Sequence, residues 1–181
     1  MPPESPEDVV AATSTHLEYI ARVNDQLQQL KGRTQAVRSM LGFLRNSAGE
    51  TETEVDLDAI TEMRVAAETL EDQIDYWIEE TTSLRETVRA VDTTVRTAKL
   101  LTSSLTEIDE DLPAKIASLE TSFRGYQDTT EAVNDNIETS VELLERSVIL
   151  LVDTPEADEI GEIGALLTEH HREIKTMLQI E

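Results

Sequence analysis

Cysteine is absent from the 181-residue chain. A chain without thiols can form neither a disulfide framework nor a thiolate metal site. Aromatic residues make up 3% of the sequence, with Trp77 as the single tryptophan. Because small-molecule pockets are usually lined by aromatic and bulky apolar side chains, this scarcity disfavours a deep ligand pocket.

Glycine and proline are also scarce, with 6 and 5 residues. A β or α/β domain of this length needs more turn residues, so long helices are favoured. No apolar run approaches the roughly 20 residues that span a bilayer. The opening segment MPPESPEDVV lacks the basic and apolar regions of a signal peptide. We therefore expect a soluble, cytoplasmic protein without membrane insertion.

Positively charged residues are scarce as well, with 15 basic against 38 acidic residues and a net charge of -23. Nucleic-acid binding requires basic patches, so we expect no nucleic-acid partner. Hydrophobic residues make up 39% of the chain, which is enough for a core and disfavours disorder. This acidic, lysine-poor composition is similar to that of salt-accumulating haloarchaeal proteins. Molar salt shortens the Debye length to about 3 Å and screens such repulsion, so the composition indicates a high-salt cytoplasm.

Apolar residues recur at alternating steps of three and four, the heptad pattern of packed helices. Three long seams run from Val9 to Leu44, from Ile60 to Leu105 and from Ile116 to Leu151, and a short seam runs from Ile160 to Met177. The predicted helices span about 5–45, 58–109, 113–152 and 155–180, with residues 46–57 as an acidic linker. We expect Ser5 to cap the first helix and Asp111 the third.

The fold class predicted from these seams is all-α, an elongated antiparallel helical bundle or coiled coil of four helices. Residues 1–181 would form one domain. A helix over 58–109 would be roughly 75 Å long at 1.5 Å per residue, which favours a rod over a compact globule.

The segment SVILLVDTPE, residues 147–156, allows two interpretations. A buried strand that ends in Asp153 would suggest a phosphate site. However, no G-x-x-x-x-G-K-[ST] motif accompanies it, and Val148 and Leu151 continue the third seam. We therefore interpret the run as a helix end, with Thr154 and Pro155 opening the fourth helix.

Motifs for catalysis or metal binding are missing. His16 and His170 occupy seam positions, and the neighbouring His170 and His171 point about 100° apart on a helix. Neither H-E-x-x-H nor G-x-S-x-G occurs. We expect no enzyme activity, no cofactor and no metal.

Five seam positions carry threonine, and two interpretations of them stay open. Buried polar groups can fix the register of helices, at a cost in stability. Alternatively, threonine is a tolerated β-branched filler. The residues are Thr13, Thr34, Thr81, Thr102 and Thr130.

The function expected from these features is that of a non-catalytic scaffold, which packs helices against itself or another helical protein. Self-association would give a homo-oligomer. The alternatives are a structural subunit of a larger assembly, such as a haloarchaeal virus particle or a surface or motility filament, and a helical signalling domain. If the protein is part of a virus particle, its location would be the virion and not the cytoplasm. The candidate interface or core residues are Leu17, Trp77, Ile78, Leu101, Val148, Ile149, Leu150, Leu151 and Val152.

Overall fold

A computed structural model of the protein describes residues 5–50, 57–98 and 110–153. Within these ranges the chain forms three helices, α1 (Pro6–Glu50), α2 (Leu57–Ala98) and α3 (Leu112–Asp153), and no strand. The all-helical fold class is therefore confirmed. The fourth predicted helix, 155–180, lies outside the described residues, and the elongated shape stays a prediction.

Capping residues set the beginnings of α1 and α3 as expected. The Ser5 Oγ accepts a hydrogen bond from the Asp8 backbone N–H at 3.2 Å, and the Ser5 carbonyl accepts one from the Val9 N–H at 3.1 Å. The Asp111 carbonyl accepts from the Lys115 N–H at 3.0 Å. Both residues therefore stand at the N-cap position, where the carbonyl begins the helical ladder.

The end predicted for the first helix was wrong by five residues. The helix α1 continues past Arg45 to Glu50, so the first part of the expected acidic linker is helical. Residues 46–50 contain no proline. One glycine, Gly49, lowers helix stability by about 1 kcal/mol, which a long helix tolerates in its last turn.

The apolar run that ends the third seam is helical. Helix α3 continues unbroken to Asp153, so the strand interpretation is excluded. The irregular heptad step from Val133 through Ile137 to Val141 also lies inside α3, and all three side chains are buried. The irregular step therefore does not end the helix.

The chain divides into two compact units, each containing part of all three helices. Unit 1 comprises Met1–Gln26 and Ile78–Thr130, and unit 2 comprises Leu27–Trp77 and Glu131–Glu181. The expectation that 1–181 form one domain stays a prediction.

In unit 1, the core contains two clusters of buried side chains. One joins Val9, Val95, Leu112 and Ile116. The other joins Ile20, Val88 and Phe123, with Leu17, Tyr19, Leu84 and Leu119 packed against it. The pairs of α1 and α2 residues bonded within this unit, Thr13 with Asp92 and Asn24 with Thr81, show that these helices run antiparallel.

In unit 2, the core follows the predicted seams closely. Its members are less than a tenth exposed, as expected for positions that face neighbouring helices in a heptad pattern. They are Leu27, Leu30, Val37 and Leu41 from α1, Ile60, Met63, Ala67, Leu70, Ile74 and Trp77 from α2, and Val133, Ile137, Val141, Leu144 and Val148 from α3.

The seam threonines differ in their hydrogen bonds, and both interpretations of them stay open. In unit 1, the Thr13 hydroxyl donates to Asp92 Oδ1 at 2.7 Å, and Thr81 Oγ1 accepts from the Asn24 amide at 2.8 Å. These bonds link neighbouring helices. Thr13 and Thr81 also donate to the carbonyl three residues earlier in their own helix. Thr34 and Thr130 donate to the carbonyl four residues earlier, which satisfies the hydroxyl locally. Thr102 lies outside the described residues.

Candidate interaction surface

Residues 26–49 form a long segment without a carboxylate in an otherwise acidic chain. Asp25 precedes it and Glu50 follows it, and between them lie four cations, Lys31, Arg33, Arg38 and Arg45. Most of the segment is the unit 2 part of α1. The local charge balance is therefore opposite to that of the whole chain.

Three of these cations bind carboxylates on the flanking helices of unit 2. Lys31 pairs with Asp75, and Arg38 Nη1 lies 2.8 Å from Glu71 Oε2, both on α2. Glu71 also accepts a hydrogen bond from the Gln35 amide at 2.9 Å. These pairs fix the side of α1 that faces α2.

On the opposite flank, Arg33 makes a two-bond contact with Glu145 of α3. Its Nε and Nη2 donate to Oε1 and Oε2 at 2.9 and 2.8 Å. The hydrogen bonds raise the pKa of Arg33 and lower that of Glu145. Each side chain is 38% exposed, so the pair orients the helices but adds little stability.

The side of α1 that points away from both flanks carries a second heptad series, which we call the outer seam. Its members are separated by steps of three, four, three, four and three residues, and all of them are exposed. They are Gln29, Gly32, Ala36, Ser39, Phe43 and Asn46. Phe43 follows the buried Leu41 by two residues, about 200° around the helix, so the outer seam lies opposite the core. None of its side chains is charged.

Large apolar side chains are exposed on and beside the outer seam. Phe43 is 71% exposed and Met40 is 52% exposed. Within the described part of the chain, the other exposed large apolar residues are Leu57, Val65, Tyr76 and Ile149. All six belong to unit 2. Exposed apolar side chains that lie close together, as Met40 and Phe43 do one helical turn apart, are typical of protein–protein contacts.

Gly32 has no role in packing within the chain. Apart from the adjoining backbone of its own helix, no atom lies within 4 Å of the position that a Cβ would occupy there. Glycine in the middle of a helix lowers its stability by about 1 kcal/mol relative to alanine. The fold alone therefore does not account for glycine at this exposed position.

The residues proposed from sequence as interface or core fall into different environments. Leu17 and Ile78 are half-buried, and Trp77 and Val148 are buried. Ile149 is 59% exposed. The remaining candidates, Leu101 and the side chains of Leu150, Leu151 and Val152, lie outside the described residues. Of these candidates, Ile149 is therefore one of the exposed apolar residues of unit 2.

Sequence reasoning missed the outer seam, although a signal for it was present. The seam contains one large apolar residue, Phe43, and its small and amide residues do not register as a hydrophobic pattern. The detectable signal is the run from 26 to 49 without aspartate or glutamate. In a chain of charge -23, such a gap marks a helix segment from which negative charge is missing.

The interior of unit 1 offers a different environment around His16. Its ring stacks on Phe123 with the centroids 3.8 Å apart. Burial lowers the pKa of His16, and the nearby Glu120 carboxylate partly offsets this. The adjacent cavity of about 10 Å³ has room for about one water molecule. It is too small for an organic ligand. The other histidines, His170 and His171, lie outside the described residues.

Within the described ranges 5–50, 57–98 and 110–153, none of the helices combines the length and apolar character that a bilayer span requires. No cluster of three or more histidine, aspartate or glutamate side chains is arranged there to hold a metal ion.

Comparison of the chain with protein-family models, with curated proteins and with solved structures finds no match.

Proposed function

We propose that the protein is a non-catalytic scaffold that associates with copies of itself through the outer seam of α1, in a high-salt environment. The observation that carries this proposal is the outer seam itself, an uncharged helix side with exposed Met40 and Phe43 on a chain of charge -23. The inner seam of the same helix is already used in the core of unit 2, so the outer seam is available for a second contact.

Electrostatics supports this surface as the contact between copies. Two chains of equal negative charge repel each other, and carboxylates brought together at an interface lose hydration without gaining a partner. Over the outer seam no carboxylate would be buried. Molar salt shortens the Debye length to about 3 Å, so repulsion from the remaining surface is screened. Burial of Phe43 and Met40 then favours association.

Light scattering coupled to gel filtration in molar KCl tests this function. We expect a mass that is a multiple of 20.2 kDa, and we expect Phe43→Glu to reduce it to the monomer value. The matched control is Val65→Glu. Val65 is also apolar and 56% exposed in unit 2, but it lies on α2. A monomer at every accessible concentration, or equal loss of mass in both variants, would contradict the proposal.

A structural subunit of a larger assembly, such as a haloarchaeal virus particle or a surface or motility filament, is the second candidate function. It is favoured by the exposed apolar side chains that lie off the outer seam, Leu57, Val65, Tyr76 and Ile149. One surface closed by symmetry gives a dimer, whereas additional surfaces allow extended assemblies. Masses well above twice 20.2 kDa, lost on Val65→Glu or Ile149→Glu, would support this candidate.

A further inference from the structure

We infer that the outer seam binds the outer seam of a second copy in antiparallel orientation, with Gly32 of each chain opposite Phe43 of the other. The inference rests on the proposed self-association and specifies its geometry. It is based on the order of side-chain sizes along the outer seam, on the heptad spacing of the outer seam and on the open space at Gly32.

Side-chain size increases over the four central positions of the outer seam. Its central positions begin with Gly32 and Ala36, continue with Ser39 and end with Phe43. An antiparallel second copy places the large end of one seam on the small end of the other. A parallel copy would instead place Phe43 on Phe43 and leave a gap between the two glycines. Close packing therefore favours the antiparallel arrangement.

The spacing of the outer seam gives three matching pairs in that arrangement. The positions in one heptad class are Gln29, Ala36 and Phe43, and those in the other are Asn46, Ser39 and Gly32. A two-fold axis between residues 37 and 38 pairs each member of the first class with one of the second. The pairs are Gln29 with Asn46, Ala36 with Ser39, and Phe43 with Gly32. An interface with two-fold symmetry must be self-complementary in this way.

The empty space above Gly32 is the receiving site for Phe43. Beyond the adjoining backbone of α1, no atom lies within 4 Å of a Cβ built at Gly32, as is also true at Gly42 and Gly125. Of these three, Gly32 is the one on the outer seam, where the Phe43 side chain is 71% exposed. Phe43 and Gly32 thus lie on one side of the helix. The fold of the chain explains neither the exposure of Phe43 nor the choice of glycine at position 32. The pairing accounts for both.

Filling the space at Gly32 tests the pairing. We expect Gly32→Leu to raise the dissociation constant of the dimer about tenfold or more, because the added side chain collides with Phe43 of the second copy. The matched control is Gly125→Leu, an exposed helical glycine of unit 1 with the same open space around it. Both variants should keep their helical circular dichroism. Unchanged association of Gly32→Leu would overturn the pairing.

Disulfide trapping tests the orientation, since the chain has no cysteine of its own. The variants Gln29→Cys and Asn46→Cys are co-expressed with tags of different size and oxidised in molar KCl. Antiparallel pairing brings residue 29 against residue 46, so mixed disulfides should dominate. Residues of the same number would be about 25 Å apart in that dimer, too far for a bond.

Each other outcome of the trapping experiment has a definite meaning. Disulfides between residues of the same number would indicate parallel pairing and overturn the inference. Absence of any disulfide in a sample of twice the monomer mass would also overturn it, while self-association itself would stand. A monomer mass before oxidation would instead refute the proposed function.

Discussion

The two halves of α1 have similar inner sides and different outer sides. In unit 1 the exposed positions of the helix include Glu7, Asp8, Glu18 and Asp25. In the unit 2 half of α1, no exposed position from Leu27 to Asn46 carries a carboxylate, and Met40 and Phe43 are exposed. Both halves bury an apolar heptad seam.

We interpret this difference as a division between residues that fold the chain and residues that are proposed to bind a second copy. The inner seam is under the same packing requirement in both units, so its residues are apolar or threonine except for His16. The outer side is not constrained by the fold, and an acidic protein gains hydration and solubility by placing carboxylates there. Their absence from one half of the helix is what the proposed association with a second copy would explain.

The largest expected effect comes from removing salt, which affects both units together. Dilution of KCl from molar to millimolar lengthens the Debye length to about 30 Å at 0.01 M, and a chain of charge -23 then repels itself throughout. Helical circular dichroism should fall steeply on dilution. An unchanged spectrum over that range would contradict the high-salt interpretation.

The next effect contrasts the inner and outer sides of α1 within unit 2. Leu41 is fully buried, so Leu41→Ala should lower the free energy of unfolding by about 2–5 kcal/mol. Phe43→Ala should change it by less than about 0.5 kcal/mol in dilute samples, where association is absent. Urea unfolding in molar KCl measures both. A large loss for Phe43→Ala in dilute samples would mean that Phe43 packs within its own chain.

A smaller effect is expected from the polar contact that is characteristic of unit 1. Burial opposes ionisation of Asp92, but hydrogen bonds from Thr13 and Arg96 outweigh it and hold its pKa below the ordinary 3.8. Removing the Thr13 donor by Thr13→Val should lower the free energy of unfolding by about 1 kcal/mol. Association through the outer seam should not change, because Thr13 belongs to unit 1. A lower mass of this variant in light scattering would show that association also depends on unit 1.

The same contact predicts the direction of a pH effect. Because the pKa of Asp92 is lower in the folded chain, its stabilisation is present above 3.8 and is lost as the pH falls through the folded value. Asp92→Asn should therefore flatten the decline of stability at acid pH, as followed by urea unfolding between pH 2 and about pH 5. An equally steep decline in the variant would show that Asp92 does not contribute.

The smallest effect is expected at the ion pair beside the outer seam. Arg33 and Glu145 are each 38% exposed, so Arg33→Gln should lower the free energy of unfolding by less than about 1 kcal/mol. Molar KCl should reduce the effect further, since salt screens exposed pairs. A loss that persists undiminished in molar salt would indicate a contribution beyond charge attraction.

The seams of the fold could be predicted from sequence because packing repeats at every heptad. Val9, Leu41, Ile60 and Val148 are all buried, as their spacing required. The end of α1 was misplaced because residues 46–50 contain no strong breaker and helix ends depend on few residues. The outer seam itself was not predicted. Among the sequence candidates Ile149 is exposed but lies off the outer seam, which is recognised only by the missing carboxylates of residues 26–49.

Hydroxyl-radical footprinting in molar KCl tests the central claim most directly, because it compares exposed side chains of the same molecule. We expect Met40 and Phe43 to become protected as the protein concentration rises through the association range, while Tyr76 and Ile149 keep the reactivity of the dilute sample. Protection of Tyr76 or Ile149 without protection of Phe43 would place the contact elsewhere. It would contradict the assignment of the outer seam as the surface through which copies of the chain associate.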